Sequence, residues 1–201
     1  MTDSKNSVSY LELIIGPMYS GKTSQIVEIY NQCKFCNISV AVINHSIDTR
    51  YDEKLLTTHD QIKIPCIQTT KLNSIWNYSI LDNHFNEKSN NHLKLRSADV
   101  ILINEGQFFK DLYSVVEDML KCNKRVYVCG LDSDFERKKF GQILDLIPLC
   151  DKVTKLTSLC SQCRDGTPGI FSMRLTPEKQ QTLVGSDNYI PVCRKCYEKN
   201  I

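Results

Sequence analysis

The octapeptide Gly16-Pro17-Met18-Tyr19-Ser20-Gly21-Lys22-Thr23 constrains this chain more than any other stretch, because it completes the G-x-x-x-x-G-K-[ST] pattern between a strand and a helix. Tyr10-Leu11-Glu12-Leu13-Ile14-Ile15 ahead of it reads as a buried strand. Ser24 to Cys36 behind it sets Ile26, Ile29, Tyr30 and Cys33 at helical spacing. In that setting backbone N–H groups and a helix N-terminus surround phosphate oxygens. Lys22 then reaches the β- and γ-phosphates, and the Thr23 hydroxyl holds Mg²⁺.

Ile38-Ser39-Val40-Ala41-Val42-Ile43, Ala98-Asp99-Val100-Ile101-Leu102-Ile103 and Arg125-Val126-Tyr127-Val128-Cys129 are further short, β-branched runs separated by loop or helix-length sequence. The alternation predicts an α/β fold, a mostly parallel sheet flanked by helices. Trp76 to Leu95, with Asn83, Asn86, Asn90 and Asn91, is polar and weakly periodic, and reads as a helix end followed by a surface loop. After Pro148 the pattern changes to short strand-like pieces and paired cysteines. Residues 1–149 are therefore expected to form the P-loop domain and 150–201 a small second module. At 201 residues and 41% hydrophobic, the chain has material for one full core and a small appendage.

No run of about 18 apolar residues occurs, and Met1 to Ser9 is polar, which points to a soluble, non-exported protein. In such a protein ten cysteines imply metal binding or burial rather than disulfides. Cys160-x-x-Cys163 and Cys193-x-x-Cys196, separated by 29 residues, have the form of a closed four-thiolate zinc site, which is structural because no coordination position stays open. Cys33 and Cys36 share the spacing, but Cys33 continues the apolar stripe of the first helix, so this pair is assigned to packing. Cys66, Cys122, Cys129 and Cys150 read as small core residues. A net charge of +2 gives little support to nucleic acid or a membrane as partner, although Arg164, Arg174, Arg194, Lys195 and Lys199 make the C-terminal module locally basic.

Ile101-Leu102-Ile103-Asn104-Glu105 is a strand ending in a polar pair, where a P-loop protein places a carboxylate near Mg²⁺. Asn104 occupies that position. Glu105 has two readings, a general base near the γ-phosphate or a helix N-terminal residue favoured by the macrodipole. The polar stretch Asn44 to Asp60, with Asp48-Thr49-Arg50-Tyr51 and Thr58-His59-Asp60, follows the second strand. It is either a solvated loop or part of a ligand site at the sheet's C-terminal edge.

The P-loop, Asp48-Thr49-Arg50, Thr58-His59-Asp60, Glu105-Gly106-Gln107-Phe108-Phe109, Gly130-Leu131-Asp132, Phe135-Glu136-Arg137-Lys138-Lys139-Phe140-Gly141, Lys155-Leu156-Thr157 and both knuckles together resemble the type II thymidine kinases, from about Leu11 to Lys199. The resemblance implies a RecA-like P-loop fold with a zinc module and a lasso-type loop, and transfer of the γ-phosphoryl of Mg·ATP to the 5′-hydroxyl of thymidine. Glu105 is then the base and Arg50 the contact to the 5′-oxygen and the transferring phosphate, with Lys22 as the third catalytic group. Asp48 and Arg50 join Met18, Phe108, Leu131, Phe135, Phe140 and Tyr189 around the nucleoside. Ser172 lies near the 5-methyl, and the loop from Leu175 to Tyr189 reads the base edge. A cytoplasmic homotetramer inhibited by thymidine triphosphate is also implied. Three departures stand out: Asn104 replaces an aspartate, Gly166-Thr167-Pro168-Gly169 carries a short insertion, and Val184 replaces a frequent glycine.

Overall fold

A computed structural model describes residues 8–46, 55–58, 61–78, 87–183 and 185–200. Asp48, Arg50, His59, Asp60 and Val184 lie outside the described residues. The elements in chain order are β1 (Tyr10–Ile15), α1 (Lys22–Phe35), β2 (Val40–His45), β3 (Leu55–Thr57), β4 (Lys63–Pro65), β5 (Ile67–Thr69), α2 (Asn73–Trp76), α3 (Glu87–Ser97), β6 (Val100–Ile103), α4 (Leu112–Lys121), β7 (Arg125–Gly130) and β8 (Lys152–Lys155). Four short strands and a helix follow: β9 (Ser158–Leu159), β10 (Pro168–Gly169), β11 (Phe171–Arg174), β12 (Tyr189–Val192) and α5 (Arg194–Glu198).

Six strands form the main sheet in the order β5-β2-β6-β7-β1-β8, and every pairing in it is parallel. Parallel strands covered on both faces carry continuous apolar runs, and the sequence has them. Leu11, Leu13 and Ile15 of β1 point to one face, with Ile43, Ile101, Ile103, Val126 and Val128, and pack on Ile75, Trp76, Leu112, Val116 and Met119. Ile14, Val42, Leu102 and Cys129 point to the other, against Ile26, Val27 and Cys33 of α1. β7 lies between β1 and β6, so the P-loop strand and the strand carrying Asn104-Glu105 are one strand apart. A cleft opens over the C-terminal ends of all three strands, lined by Met18, Glu105 and Leu131.

α1 ends on Asn37, whose left-handed φ of 54° lets the amides of Asn37 and Ile38 reach the Lys34 and Cys33 carbonyls. The segment read as a surface loop after Trp76 differs: Glu87 to Ser97 is helical. Its sequence is polar, but Leu95 is fully buried and Arg96 stacks 3.8 Å from the Trp76 ring centroid, so tertiary contacts hold what periodicity did not signal. Glu87 in its first turn and Lys94 and Arg96 in its last suit the macrodipole. Cys33, Cys66 and Cys129 are buried and Cys150 half-buried, but Cys122 and Cys36 are exposed. Cys122 caps the end of α4 and is not a core residue.

Beyond β8 the two knuckles come together. β11 pairs antiparallel with β12 and β9 with β10, around a small cluster of Cys160, Val192, Cys193 and Tyr197. Between the knuckles the chain turns at Gly166, with φ 90°, and leads into β10.

Candidate functional site

β1 delivers the chain into the P-loop at Gly16, where an added Cβ would stand 2.5 Å from the Leu156 carbonyl oxygen, so the approach to the end of β8 admits only glycine. Tyr19 and Gly21 take positive φ of 60° and 81°, wrapping the loop before α1 begins. The Lys22 ammonium folds back 2.6 Å from the Pro17 carbonyl, and Ser20 Oγ donates to the same oxygen at 2.8 Å. Burial pulls the Lys22 ammonium below its usual value, and Cys129, Glu105 and Asp132 oppose that shift. A cation held this way inside a loop of amides is suited to a polyphosphate.

Glu105 sits one residue beyond β6 in the left-handed conformation, φ 55° and ψ 40°. Its carboxylate makes no capping bond to the three-residue 3₁₀ turn that follows, which leaves the macrodipole reading without its contact. Instead Oε2 accepts from Gln107 Nε2 at 2.6 Å, while Gln107 Oε1 accepts from the Leu131 amide at 3.0 Å. Gln107 is buried, and a Cβ on Gly130 would collide with its side-chain oxygen. Asn104 is 3% exposed, and its amide donates to Asn44 Oδ1 at 2.9 Å.

One cavity joins these parts. Met18, Tyr19, Ser20, Gly21, Lys22, Thr23 and Glu105 line it together with Phe108, Leu131, Phe135, Phe140, Ser172 and Tyr189. Gly16, Pro17 and Asn104 are not among the lining residues, and Asp48 and Arg50 lie outside the described residues. The Phe108 and Phe140 rings meet edge to face at 5.4 Å, forming an apolar wall. Ser172 Oγ accepts from the Met18 amide at 2.9 Å, tying the P-loop to β11. A polyanion subsite, an aromatic wall and a carboxylate thus share one cavity.

Gln181, Thr182, Leu183 and Gly185, inside the 175–189 loop that the resemblance assigned to the base edge, line the cavity, as do Ser133 and Asp134 from the turn after β7, which carried no site reading in the sequence. Asp134 Oδ1 accepts from the Glu136 and Lys138 amides, both at 2.9 Å, and its Oδ2 accepts from Gln181 Nε2 at 2.7 Å. Asp134 follows the end of β7 in a polar turn, and its burial is visible only in the structure. For Gln181 the resemblance marked the 175–189 loop, but nothing in a polar loop singles out this side chain.

The four sulfurs of Cys160, Cys163, Cys193 and Cys196 lie within 4.8 Å of one another, with Cys163 at 3.8 Å from Cys193 and 3.5 Å from Cys196. Tetrahedral Zn–S bonds of about 2.3 Å require sulfurs about 3.8 Å apart, so the cluster fits such an ion. Burial opposes ionisation of Cys160, but the amides of Cys163, Cys193 and Gln162 prevail and hold that thiol down to about 6. Cys163 is pushed up to about 12 by its bonds to the neighbouring cysteines, led by Cys196. Four thiols that cannot ionise together become four thiolates around a dication.

A family model described as thymidine kinase matches residues 9–197. Curated relatives include the thymidine kinase of Sheeppox virus, 39% identical over 189 residues, covering 94% of this chain and 96% of that protein. Thymidine kinase a of Arabidopsis thaliana is 38% identical over 94% of this chain and 75% of its own length. Thymidine kinase 1 of Dictyostelium discoideum is 35% identical over 94% of this chain and 78% of its own length.

Proposed function

The chain belongs to the thymidine kinase family, and we propose that it transfers the γ-phosphoryl group of ATP to the 5′-hydroxyl of thymidine. The observation that carries this reading is the single cavity in which the P-loop, Glu105 and the Phe108–Phe140 wall meet. The nucleoside base lies in the aromatic slot, among Met18, Phe108, Leu131, Phe135, Phe140 and Tyr189, with Ser172 beside its 5-methyl group. Its 5′-hydroxyl faces Glu105. The Glu105 carboxylate takes the hydroxyl proton as the 5′-oxygen forms its bond to the γ-phosphorus, and the bond from that phosphorus to the β,γ-bridging oxygen breaks, releasing ADP. Lys22 moves from the Pro17 carbonyl to the phosphates, and the amides from Gly16 to Thr23 surround them. Arg50 acts on the 5′-oxygen and the transferring phosphate, and Asp48 binds the nucleoside.

Mg²⁺ would be held on the Thr23 hydroxyl, which lines the cavity, with the Asn104 amide buried nearby at the end of β6; when bound it would neutralise charge on the phosphates. Zn²⁺ at the four cysteines is structural. Residues 1–149 are the ATP-binding unit and 150–201 the zinc-binding, nucleoside-loop module, whose first strand, β8, completes the sheet of the other. Among the described residues no helix is long and apolar enough to cross a membrane. A cytoplasmic homotetramer inhibited by thymidine triphosphate belongs to the same reading.

The test is ADP release by the purified protein with a panel of deoxynucleosides. Release dependent on thymidine is expected. Release stimulated by single-stranded DNA and indifferent to nucleosides would replace this reading with a nucleic-acid-dependent one.

A further inference from the structure

Arg174 ends β11, and its side chain runs inward beneath the loop that closes the cavity. Its guanidinium has five N–H donors, and all five are used. Nη1 donates to the carbonyls of Glu178 at 2.7 Å and Gln180 at 2.6 Å, and Nη2 donates to the Gln181 carbonyl at 3.1 Å. Nε and Nη2 both donate to the Tyr189 hydroxyl, at 3.2 and 2.5 Å, and that hydroxyl donates onward to the Leu183 carbonyl at 3.3 Å. The guanidinium plane lies 3.6 Å from the centroid of the Phe135 ring. One side chain therefore holds three carbonyls of the loop, the hydroxyl of one wall residue and the ring of another.

We propose that Arg174 is the positioning residue of the nucleoside pocket: it shapes the 178–183 loop before the nucleoside arrives and sets Phe135 and Tyr189 as opposing walls. The proposal rests on the thymidine kinase reading and adds a residue that touches no reacting atom. Turning the carbonyls of residues 178, 180 and 181 onto one cation fixes the loop's backbone, so ordering it costs less when the base binds. The Gln181 amide then reaches Asp134, fastening the loop to the turn that carries Phe135. Lysine cannot replace this fork, since an ammonium has three donors, no plane to stack, and a different reach. The arrangement also removes Arg174 from the basic surface that a nucleic acid would use.

The test combines kinetics with limited proteolysis. In Arg174→Lys and Arg174→Met the thymidine KM should rise roughly 10- to 100-fold, while the ATP KM stays within about twofold. Trypsin cleavage after Lys179, an exposed loop residue, should accelerate in both variants and be slowed by thymidine in the unaltered protein. Tyr189→Phe, which keeps the wall and removes the shared hydroxyl, should move both readouts in the same direction by less. Equal rises in both KM values with a lowered melting temperature would make Arg174 a general fold residue and overturn the proposal. A raised thymidine KM without faster cleavage would overturn the loop-holding account, as would unchanged values of both. If the unaltered protein releases no ADP with thymidine, the functional reading fails, and the cleavage rates alone then decide whether Arg174 holds the loop.

Discussion

Glu105 and Asn104 are neighbours with opposite circumstances. Glu105 faces the cavity and is steered by Gln107, so Glu105→Gln preserves shape and removes the proton acceptor. We expect kcat to fall roughly 10²- to 10⁴-fold with thymidine binding largely kept; near-normal turnover would exclude Glu105 as the base. Asn104 is buried, brings no charge, and donates to Asn44 Oδ1. Asn104→Asp would place a carboxylate against that oxygen unless the Asn44 amide turns over to donate, a rotation its long 3.4 Å bond to Gln68 scarcely resists. With that turn made, the added negative charge should lower the Mg²⁺ concentration for half-maximal rate and leave the thymidine KM nearly unchanged. Mg²⁺ titrations that superimpose for the two proteins would show that position 104 does not sense the metal.

At the scale of elements, what was legible followed from how each piece is held. β1, β2, β6 and β7 are buried on both faces, so their sequences are mostly apolar runs that announce themselves, Glu12 of β1 being buried through its bonds to Thr154 and Lys152. The P-loop and the end of β6 carry their chemistry in consecutive residues. α3 is the opposite case, a polar helix whose only fully buried apolar side chain is Leu95, helped by the stack of Arg96 on Trp76 and polar contacts of His92 and Arg96. Leu95→Ala should therefore cost about 2–4 kcal/mol in a denaturant titration, and a change below about 1 kcal/mol would mean that α3 contributes little to the core. The fastenings of the site were illegible for a related reason. Gln107 reaches Leu131 across 24 positions and Gln181 reaches Asp134 across 47, so neither contact leaves a local pattern. Arg174 looked like surface basicity because composition does not say which way a side chain turns.

Across the whole molecule, the cysteine cluster and the nucleoside pocket share a wall. Tyr197 follows Cys196 directly, its hydroxyl donates to the Phe135 carbonyl, and Arg137 stacks 4.5 Å from its ring centroid. The turn bearing Phe135 is thus held from the cluster side by Tyr197 and from the loop side by Arg174. Because metal ligands bind as thiolates and the neighbouring sulfurs, led by Cys196, push the Cys163 thiol up, protons compete with zinc there, and falling pH should weaken zinc binding progressively, read as release to a chromogenic chelator. Replacement of a ligand acts more severely: Cys196→Ser should lose the metal and raise the thymidine KM far more than the ATP KM, since the P-loop grows out of β1 in the large sheet. That experiment alone could report collapse of the module, so Tyr197→Phe separates the two causes. It keeps all four cysteines and removes only the O–H that grips Phe135, a bond to a half-buried carbonyl worth about 1 kcal/mol. Full zinc content with a thymidine KM raised roughly 3- to 10-fold and an unchanged ATP KM is expected. A Tyr197→Phe protein with unaltered thymidine KM would show that the cluster supports the pocket by some route other than Phe135.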